Sequence, residues 1–292
     1  MLGAGGVGGL LAAALAQAGR PVLLLLRPET LEEYPGGLHL ESPVLGEIDV
    51  DVPAAARLDR PVDVLWVTVK ATQLEAALRV ASAAVAPDAV VVPLLNGLDH
   101  VRRLREVYGP LVVPGAIRVE SERVGPGHVR QLSRFVQVEL AAPPELRQRA
   151  VAIARELEEA GIHCHAGDDE AAVLWRKLVV LAPFALASTS AQKDGGTLVT
   201  DEGSRQLMLA AAREAAAVAA TQGVEVDVEA NERALLGMAE TMRSSMQKDL
   251  LAGRPLELDA IAGPILRLGG ERGVPTPATA ELVSRIAPAQ AL

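Results

Sequence analysis

The sequence predicts an α/β region followed by an all-helical region. In residues 1–167, short apolar runs alternate with helical stretches, which is typical of a parallel, doubly wound sheet. A glycine-rich segment opens the chain and leads directly into the first helical stretch. From Asp168 onward the pattern indicates helices joined by loops. We therefore expect one domain at residues 1–167 and a second at 168–292, with the boundary near Gly167.

The first element is the glycine-rich turn. Gly3, Gly5 and Gly8 form G-x-G-x-x-G, and the following helix-forming stretch ends at Gly19. In this motif the first glycine permits a tight turn, the second admits a pyrophosphate and the third lets helix and strand pack closely. The phosphates would bind at the helix N-terminus. The motif alone is weak, because alanine- and glycine-rich turns reproduce it by chance. The predicted Rossmann-type cofactor-binding residues are Gly3, Ala4, Gly5, Gly6, Val7 and Gly8.

The first strand is almost missing. Only Met1 and Leu2 precede the glycines, whereas a strand usually has five or six residues. We expect either that the given sequence starts downstream of the natural start or that the fold tolerates a stub. We favour the first, because a central strand is a poor place to lose residues.

The second strand is predicted at residues 21–26 and is followed by Arg27. An NAD enzyme usually carries an acidic residue at this position for the ribose hydroxyl, whereas arginine suits the 2′-phosphate of NADP. We therefore expect NADP. A solvated arginine is the alternative, and Glu29 lies close enough to keep NAD open.

Further strands are predicted at residues 62–69, 89–95 and 111–113, with a helix at 73–86. Lys70 and Asn96 follow the first two of these strands. Since ligands of such sheets bind outside the carboxyl ends of the strands, Lys70 and Asn96 should join the glycines and Arg27 at one edge. Singly, Lys70 could be a surface lysine and Asn96-Gly97 a turn. An antiparallel strand at 135–140, a helix at 146–160 and an edge strand at 162–165 complete this domain.

His163 and His165 in the edge strand form H-x-H, a spacing that also occurs in metal sites. We expect no metal there, because both side chains face outward and no third ligand is close in sequence. Asp168-Asp169 is better interpreted as the N-cap of the next helix.

Two charged residues of the second half stand in apolar surroundings. Lys177 lies on the same face as Val173 and Leu181 in an apolar helix predicted from Asp169 to about Leu181. Burial lowers the pKa of a lysine toward a value useful for proton transfer. Glu257 lies on the apolar side of residues 256–268 and could pair with Lys177 or bind a hydroxyl. The alternatives are a snorkelling lysine and a structural ion pair. Loops are expected at 188–196, 222–227 and 252–255, with a proline-containing tail after Gly273.

Composition excludes several classes of function. The net charge of −9 over 292 residues argues against nucleic acid or an anionic membrane as partner. The single cysteine excludes an internal disulfide and fits a reducing cytoplasm. No uninterrupted apolar run is long enough to span a bilayer. The alanine- and leucine-rich helices could support a homodimer, although nothing specifies one.

Several motifs together resemble the ketopantoate reductases (2-dehydropantoate 2-reductases). They occur in the family's order over essentially the whole chain: the glycines and Arg27, V-T-V-K ending at Lys70, L-N-G at 95–97, W-R-K-L at 175–178, S-S-M-Q-K-D at 244–249 and E-L-D at 257–259. The resemblance implies a Rossmann domain, a helical domain and a site in the cleft between them. It also implies reduction of a 2-keto acid by NADPH in pantothenate biosynthesis.

The resemblance assigns roles to four residues. Lys177 would be the catalytic proton donor, and Asn96 would contact both cofactor and substrate. Ser245 would contact the substrate. Glu257 would contact the cofactor ribose and support catalysis.

The chain departs from the family where the substrate should bind. Asparagines are expected four and eight residues after the lysine, but Leu181 and Ala185 stand there, and Asp194-Gly195 replaces a later Asn-Gly. Each lost hydrogen bond is worth roughly 0.5–1.5 kcal/mol, and more with a charged substrate. The alternatives to ketopantoate reduction are therefore a paralogue that reduces another small 2-oxo acid and a non-catalytic NADP-binding sensor or scaffold.

Overall fold

The computed structural model describes residues 1–290 and forms two compact units. Unit 1 comprises residues 1–95 and 100–173, and unit 2 comprises 96–99 and the chain from 174 onward. Among the described residues every strand lies in unit 1. The strands are β1 (Leu24–Leu25), β2 (Gly37–Ser42), β3 (Gly46–Asp51), β4 (Ala54–Ala55), β5 (Val64–Val67), β6 (Val90–Pro93), β7 (Gly115–Arg118), β8 (Ser121–Gly125), β9 (His128–Gln131), β10 (Gln137–Ala141) and β11 (His163–Gly167).

The helices account for most of unit 2 and for the connections of unit 1. They are α1 (Gly6–Gln17), α2 (Pro28–Glu32), α3 (Leu74–Leu78), α4 (Asp99–Tyr108), α5 (Arg147–Glu159), α6 (Glu170–Ala191), α7 (Gly195–Thr200), α8 (Glu202–Ala220), α9 (Val228–Leu236), α10 (Ser245–Leu251), α11 (Leu258–Arg272) and α12 (Pro277–Gln290). The predicted combination of an N-terminal Rossmann-type sheet with an all-helical C-terminal region is confirmed.

The parallel sheet of unit 1 is built around Leu2. This residue forms parallel bridges to Leu25 and Val67, while β1 pairs with β4 and β5 with β6. The order across the sheet is therefore β4, β1, Leu2, β5, β6. The Leu2 N–H donates to the Trp66 carbonyl at 2.8 Å, and the Leu2 carbonyl accepts from Thr68 at 3.0 Å. Met1 and Leu2 are buried, so two residues occupy the central position where a whole strand is expected.

The prediction of a strand at residues 111–113 is wrong, because this segment forms no strand in the structure. Only Val112 bridges Val91, although the Val113 N–H also donates to the Val91 carbonyl at 2.9 Å. Pro110 and Pro114 enclose this segment and have no N–H to donate, which limits its pairing with a neighbouring strand.

The predicted helix at 73–86 is also much shorter, since only Leu74–Leu78 is α-helical. Beyond it, the Ser82 hydroxyl accepts from the Ala84 N–H at 3.2 Å, and the Ser82 carbonyl accepts from Val85 at 3.1 Å. The Val80 carbonyl, which Ala84 would bond in a continued helix, instead accepts from the Leu58 N–H at 2.8 Å. Local bonding by a serine side chain competes with helical hydrogen bonding, so helical bonding does not resume at residues 82–85.

Two further sheets belong to unit 1. One has the order β3-β2-β9-β8 and was not predicted. The other has the order β11-β10-β7, in which β10 is antiparallel to β7, as expected for residues 135–140. The edge strand β11 exposes His163 and His165, as predicted, and buries Cys164 between them.

Helix α6 continues ten residues beyond its predicted end, through Pro183. A proline inside a helix leaves the carbonyl four residues earlier without its donor, here the carbonyl of Val179. The Asn231 side-chain amide donates to that carbonyl at 3.1 Å and replaces the missing bond. The carboxylate of the predicted N-cap Asp169 accepts from the Ala172 N–H at 2.8 Å, as expected.

The predicted tail after Gly273 is wrong, because residues 277–290 form α12. The Glu214 carboxylate on α8 accepts from the Ala278 N–H at 2.7 Å and from the Thr279 N–H at 2.8 Å. It therefore satisfies donors that the start of a helix leaves open. This cap comes from a residue more than sixty positions away, so no local pattern announces it.

By length and composition α6 could cross a bilayer, since its most apolar window has a mean hydropathy of 1.5. However, 72% of that window is buried inside the protein, as in the core helix of a folded domain.

Candidate functional site

The glycine turn of unit 1 has a distinct environment at each glycine. Gly3 has φ of +96°, a conformation that residues with a side chain rarely adopt. A Cβ on Gly8 would collide with the Gly3 carbonyl oxygen and with Thr68 Oγ1. At Gly5, in contrast, an added Cβ would meet no protein atom within 4 Å. Space is therefore open beside Gly5 only, where a pyrophosphate is expected to approach.

Helix α1 begins directly after this turn. Its N-cap is Gly5, no side chain caps its first N–H groups, and its first turn holds no acidic residue. Ala4 and Val7 are half-buried and pack against the apolar core of unit 1, which anchors the turn. These backbone donors and the helix dipole favour an anion, so the segment fits the phosphates of a dinucleotide.

Two cations follow strands of the parallel sheet in unit 1. Arg27 lies after β1 and is exposed, and among the described residues its guanidinium group makes no hydrogen bond or ion pair. Lys70 lies after β5, is half-buried and precedes the short turn Ala71–Gln73. Both therefore stand at the carboxyl ends of parallel strands, as predicted.

Asn96 and Glu257 meet in unit 2. The Asn96 Nδ2 donates to Glu257 Oε2 at 3.2 Å. Glu257 is buried, with 5% of its surface exposed, and directly precedes α11. Asn96 is half-buried. The sequence predicts Lys177 or a ligand hydroxyl as the partner of Glu257. The structure shows in addition the hydrogen bond from the Asn96 amide.

The residue after Asn96 explains how this contact forms. Gly97 has φ of +82°, and a Cβ at this position would collide with the Ala260 carbonyl on α11. Pro264 lies four residues after Ala260 and has no N–H to bond that carbonyl within the helix. Only glycine fits here, so the dipeptide Asn96-Gly97 acts as more than a generic turn.

An arginine holds the same segment against α11. Arg267 Nη1 donates to Asp259 Oδ1 at 2.7 Å, and Arg267 Nη2 donates to the Asp99 carboxylate. Asp99 is the last residue of the 96–99 segment of unit 2. The segment is thus connected to α11 at Glu257 and at Arg267.

Helix α6 carries the predicted proton donor. Lys177 is half-buried and therefore less enclosed than its apolar neighbours suggested, while the adjacent Arg176 is exposed. One and two turns later stand Leu181, which is half-buried, and Ala185, which is fully buried. These positions supply no polar side chain.

Ser245 is exposed at the first position of α10, so its hydroxyl is accessible to a ligand. The neighbouring Ser244 is buried and has a structural role that the sequence analysis missed. Its hydroxyl accepts from the Gln247 N–H at 3.1 Å and lies 2.8 Å from the Ser188 hydroxyl. The pattern of a serine three residues before a glutamine is a capping signal that could have revealed it.

Comparison with known proteins gives consistent results over the whole chain. Residues 1–144 match the family model described as ketopantoate reductase PanE/ApbA, and residues 170–290 match the model of its C-terminal region. A 2-dehydropantoate 2-reductase of Mesorhizobium japonicum is 30% identical, over 98% of this chain and 97% of the relative.

Two solved structures share the fold. A PanE/ApbA family ketopantoate reductase from Ralstonia eutropha JMP134 is 29% identical, with a TM-score of 0.89 over 99% of this chain and 97% of that one. A D-mandelate dehydrogenase in complex with NADH is 25% identical, with a TM-score of 0.88 over the same fractions of the two chains.

Proposed function

Since the chain belongs to the ketopantoate reductase family and is thus an NADP-dependent oxidoreductase, we propose that it reduces ketopantoate to pantoate. The family supports reduction of a keto acid by NADPH, and the substrate itself is the part that we add. We also propose that the enzyme acts in the cytoplasm and that it forms a homodimer.

The observation that carries the proposal is the hydrogen bond between Asn96 and Glu257. The two residues are 161 positions apart in sequence, and the family resemblance assigns both to one site. Lys177 and Ser245 belong to the same compact unit as this pair. Lys177, Ser245 and Glu257 all lie beyond residue 173, whereas Asn96 joins their unit only through the fold. The contact of Asn96 with Glu257 is therefore the nonlocal feature that supports the proposal.

We assign cofactor binding to unit 1. The backbone N–H groups at the start of α1 would hold the pyrophosphate, and the open space beside Gly5 would admit it. The Arg27 guanidinium would pair with the 2′-phosphate, and Lys70 would add positive charge at the same sheet edge. Bound NADPH supplies the hydride for the ketone carbon.

We assign proton transfer to Lys177. Its ammonium group would donate a hydrogen bond to the ketone oxygen and then a proton, as negative charge develops on that oxygen. The Asn96 amide, held by Glu257, would keep a fixed orientation and contact cofactor and substrate. The Ser245 hydroxyl would bind the polar end of the substrate. Each of these groups would favour one orientation of the keto acid.

A second substrate class is favoured by a specific observation. Leu181 and Ala185 present apolar groups along α6 where the family resemblance predicts asparagines. A 2-oxo acid with a plain aliphatic or aromatic side chain would lose no hydrogen bonds there. The similar solved structure of a D-mandelate dehydrogenase is consistent with this alternative, because that protein acts on an aromatic 2-hydroxy acid.

The deciding experiment is a steady-state assay of NADPH oxidation with a panel of keto acids. The panel should contain ketopantoate, branched and unbranched aliphatic 2-oxo acids, and phenylglyoxylate. A kcat/KM highest for ketopantoate would support the main proposal. A higher kcat/KM for a less polar 2-oxo acid would identify that acid as the substrate in place of ketopantoate. NADPH binding without turnover of any keto acid would overturn both substrate assignments.

A further inference from the structure

The outward face of the sheet β3-β2-β9-β8 carries a cluster of histidines and carboxylates. In the pairing of β2 with β9, His39 lies opposite His128 and Glu41 lies opposite Arg130. In the pairing of β2 with β3, His39 lies opposite Asp49. Alternate residues of a strand share one face, so these five side chains project from the same side. The other face packs Leu38, Leu40, Ile48 and Val129 into the core.

Three of these side chains converge. The Nε2 of His128 lies 2.6 Å from Glu41 Oε1, and the Nε2 of His39 lies 4.0 Å from the same oxygen. One ligand atom from each of the three residues lies within 4.8 Å of the other two. Tetrahedral coordination at about 2.0–2.2 Å places ligand atoms roughly 3.3 Å apart, so rotation of the side chains would suffice to enclose an ion.

Asp49 orients one of the histidines. Its Oδ1 lies 2.7 Å from His39 Nδ1, which leaves the Nε2 of that ring directed at Glu41. A carboxylate bonded to the far nitrogen of a histidine fixes the tautomer and raises the basicity of the near nitrogen. Metal-binding histidines usually have such a carboxylate partner. His39 has one in Asp49, although His39 is not part of the predicted active site.

We propose that His39, Glu41 and His128 bind one divalent transition-metal ion, with Zn²⁺ as the best match, and that water completes its coordination. Two imidazoles and one carboxylate suit zinc better than magnesium or calcium, which prefer sites made of oxygen ligands alone. The three side chains are 31–38% exposed, so the ion can enter from solvent.

The cluster is surrounded by one arginine and by further carboxylates, which have opposite effects on the binding of a cation. Arg130 Nε donates to Glu41 Oε2 at 2.7 Å and its Nη2 donates to Oε1 at 3.1 Å, which lowers the affinity for a cation but holds the carboxylate in place. Glu47 lies opposite Glu41 on β3, and Glu122 lies opposite Arg130 on β8. With Asp49, the carboxylates outnumber the arginine, so the local charge favours a divalent ion.

The ion would connect two distant parts of the chain. It would tie β2 to β9 through His39 and His128, which lie opposite each other in the pairing of the two strands. These two ligands are 89 positions apart in sequence. An ion that binds the folded protein and not the unfolded chain stabilises the fold in proportion to its occupancy. The site would therefore strengthen the sheet that packs on α1.

The chain offers a matched control for the test. It has five histidines, and His163 and His165 on β11 are exposed and form the H-x-H pattern. Isothermal titration with ZnCl₂ should compare the unchanged protein with His39→Ala/His128→Ala and with His163→Ala/His165→Ala. Each double variant loses two histidines, which are half-buried in the cluster and exposed in the control. Thermal unfolding in EDTA checks that all three proteins are folded.

We expect one Zn²⁺ per chain, a rise in melting temperature with ZnCl₂, and loss of both in the His39/His128 variant only. Asp49→Asn should weaken binding by about 10- to 100-fold through the orientation of His39. Equal binding by the unchanged protein and the His39/His128 variant, or loss of binding in the His163/His165 variant, would overturn the proposal. Millimolar binding without a thermal shift would also overturn it, as adventitious binding to surface groups.

Discussion

The Asn96 side-chain amide donates to the buried carboxylate of Glu257 at 3.2 Å, within unit 2. A carboxylate with 5% exposure needs hydrogen-bond donors, because an unpaired buried charge is costly. Asn96 in turn needs a fixed orientation if its amide is to contact ligands. The contact therefore serves both residues, and it makes their effects on stability and catalysis interdependent.

We predict that Asn96 and Glu257 show a coupling energy in a double-mutant cycle. Asn96→Ala and Glu257→Gln should each lower the free energy of unfolding by about 1–3 kcal/mol, since the first takes a donor from the buried Glu257 carboxylate and the second gives the half-buried Asn96 a weaker, uncharged acceptor. The loss of unfolding free energy in the double variant, measured by urea denaturation, should be smaller than the sum of the two single losses by about 0.5–3 kcal/mol. Additive effects would contradict a direct interaction. Arg102→Ala, which removes an exposed ion pair on α4, is the control and should change stability by less than about 1 kcal/mol.

Lys177 and Arg176 form a natural comparison, because they are adjacent cations on α6 of which only Lys177 is half-buried. We predict that Lys177→Ala lowers kcat by about 10²- to 10⁴-fold, the usual contribution of a proton donor. The Kd of NADPH, measured by fluorescence titration, should stay unchanged. Arg176→Ala removes the same charge and should leave kcat within about threefold of its original value, because exposed charges contribute little. Normal turnover by the Lys177 variant would exclude it as the proton donor.

Arg27 should decide between the two nicotinamide cofactors. Loss of a charge-assisted hydrogen bond costs about 1.5–3 kcal/mol, so Arg27→Ala should raise the KM for NADPH roughly 10- to 100-fold. The KM for NADH should not rise, because NADH has no 2′-phosphate. Both constants come from the same assay with one keto acid. An equal rise in both would indicate that Arg27 has a structural role instead, and Arg102→Ala should alter neither.

Local patterns predicted the elements whose signals are contained in a few residues. The glycine turn, the apolar strands at 24–25, 64–67 and 90–93, and the N-cap Asp169 could be identified because glycine geometry, burial on both faces and capping act over short distances. The boundaries were less reliable, as the short helix Leu74–Leu78 shows, because the backbone beyond it bonds to the Ser82 hydroxyl and to the distant Leu58 instead of continuing the helix.

The features that were missed depend on distant residues. Helix α12 is capped by Glu214, and in α6 the Val179 carbonyl that Pro183 leaves without a donor is satisfied by Asn231. Neither partner can be identified from sequence spacing. The same holds for the pairing of His39 with His128, which the register of β2 and β9 brings together. For the predicted site, the sequence supplied the residues, and the fold supplied the contact between Asn96 and Glu257.

The glycine turn allows cofactor binding to be separated from folding. Gly5 has φ of −79° and ψ of −162°, and a Cβ there would meet no protein atom, so Gly5→Ala should change stability by at most about 1 kcal/mol. The added methyl group would nevertheless occupy the space of the pyrophosphate, and NADPH should bind at least tenfold more weakly. Gly8→Ala should instead destabilise the fold by about 1–3 kcal/mol or more, because its Cβ would collide with the Gly3 carbonyl. Thermal unfolding without cofactor and fluorescence titration with NADPH measure the two effects. If Gly5→Ala bound NADPH normally, the cofactor phosphates would not lie beside this turn, and the assignment of unit 1 as the dinucleotide site would fail.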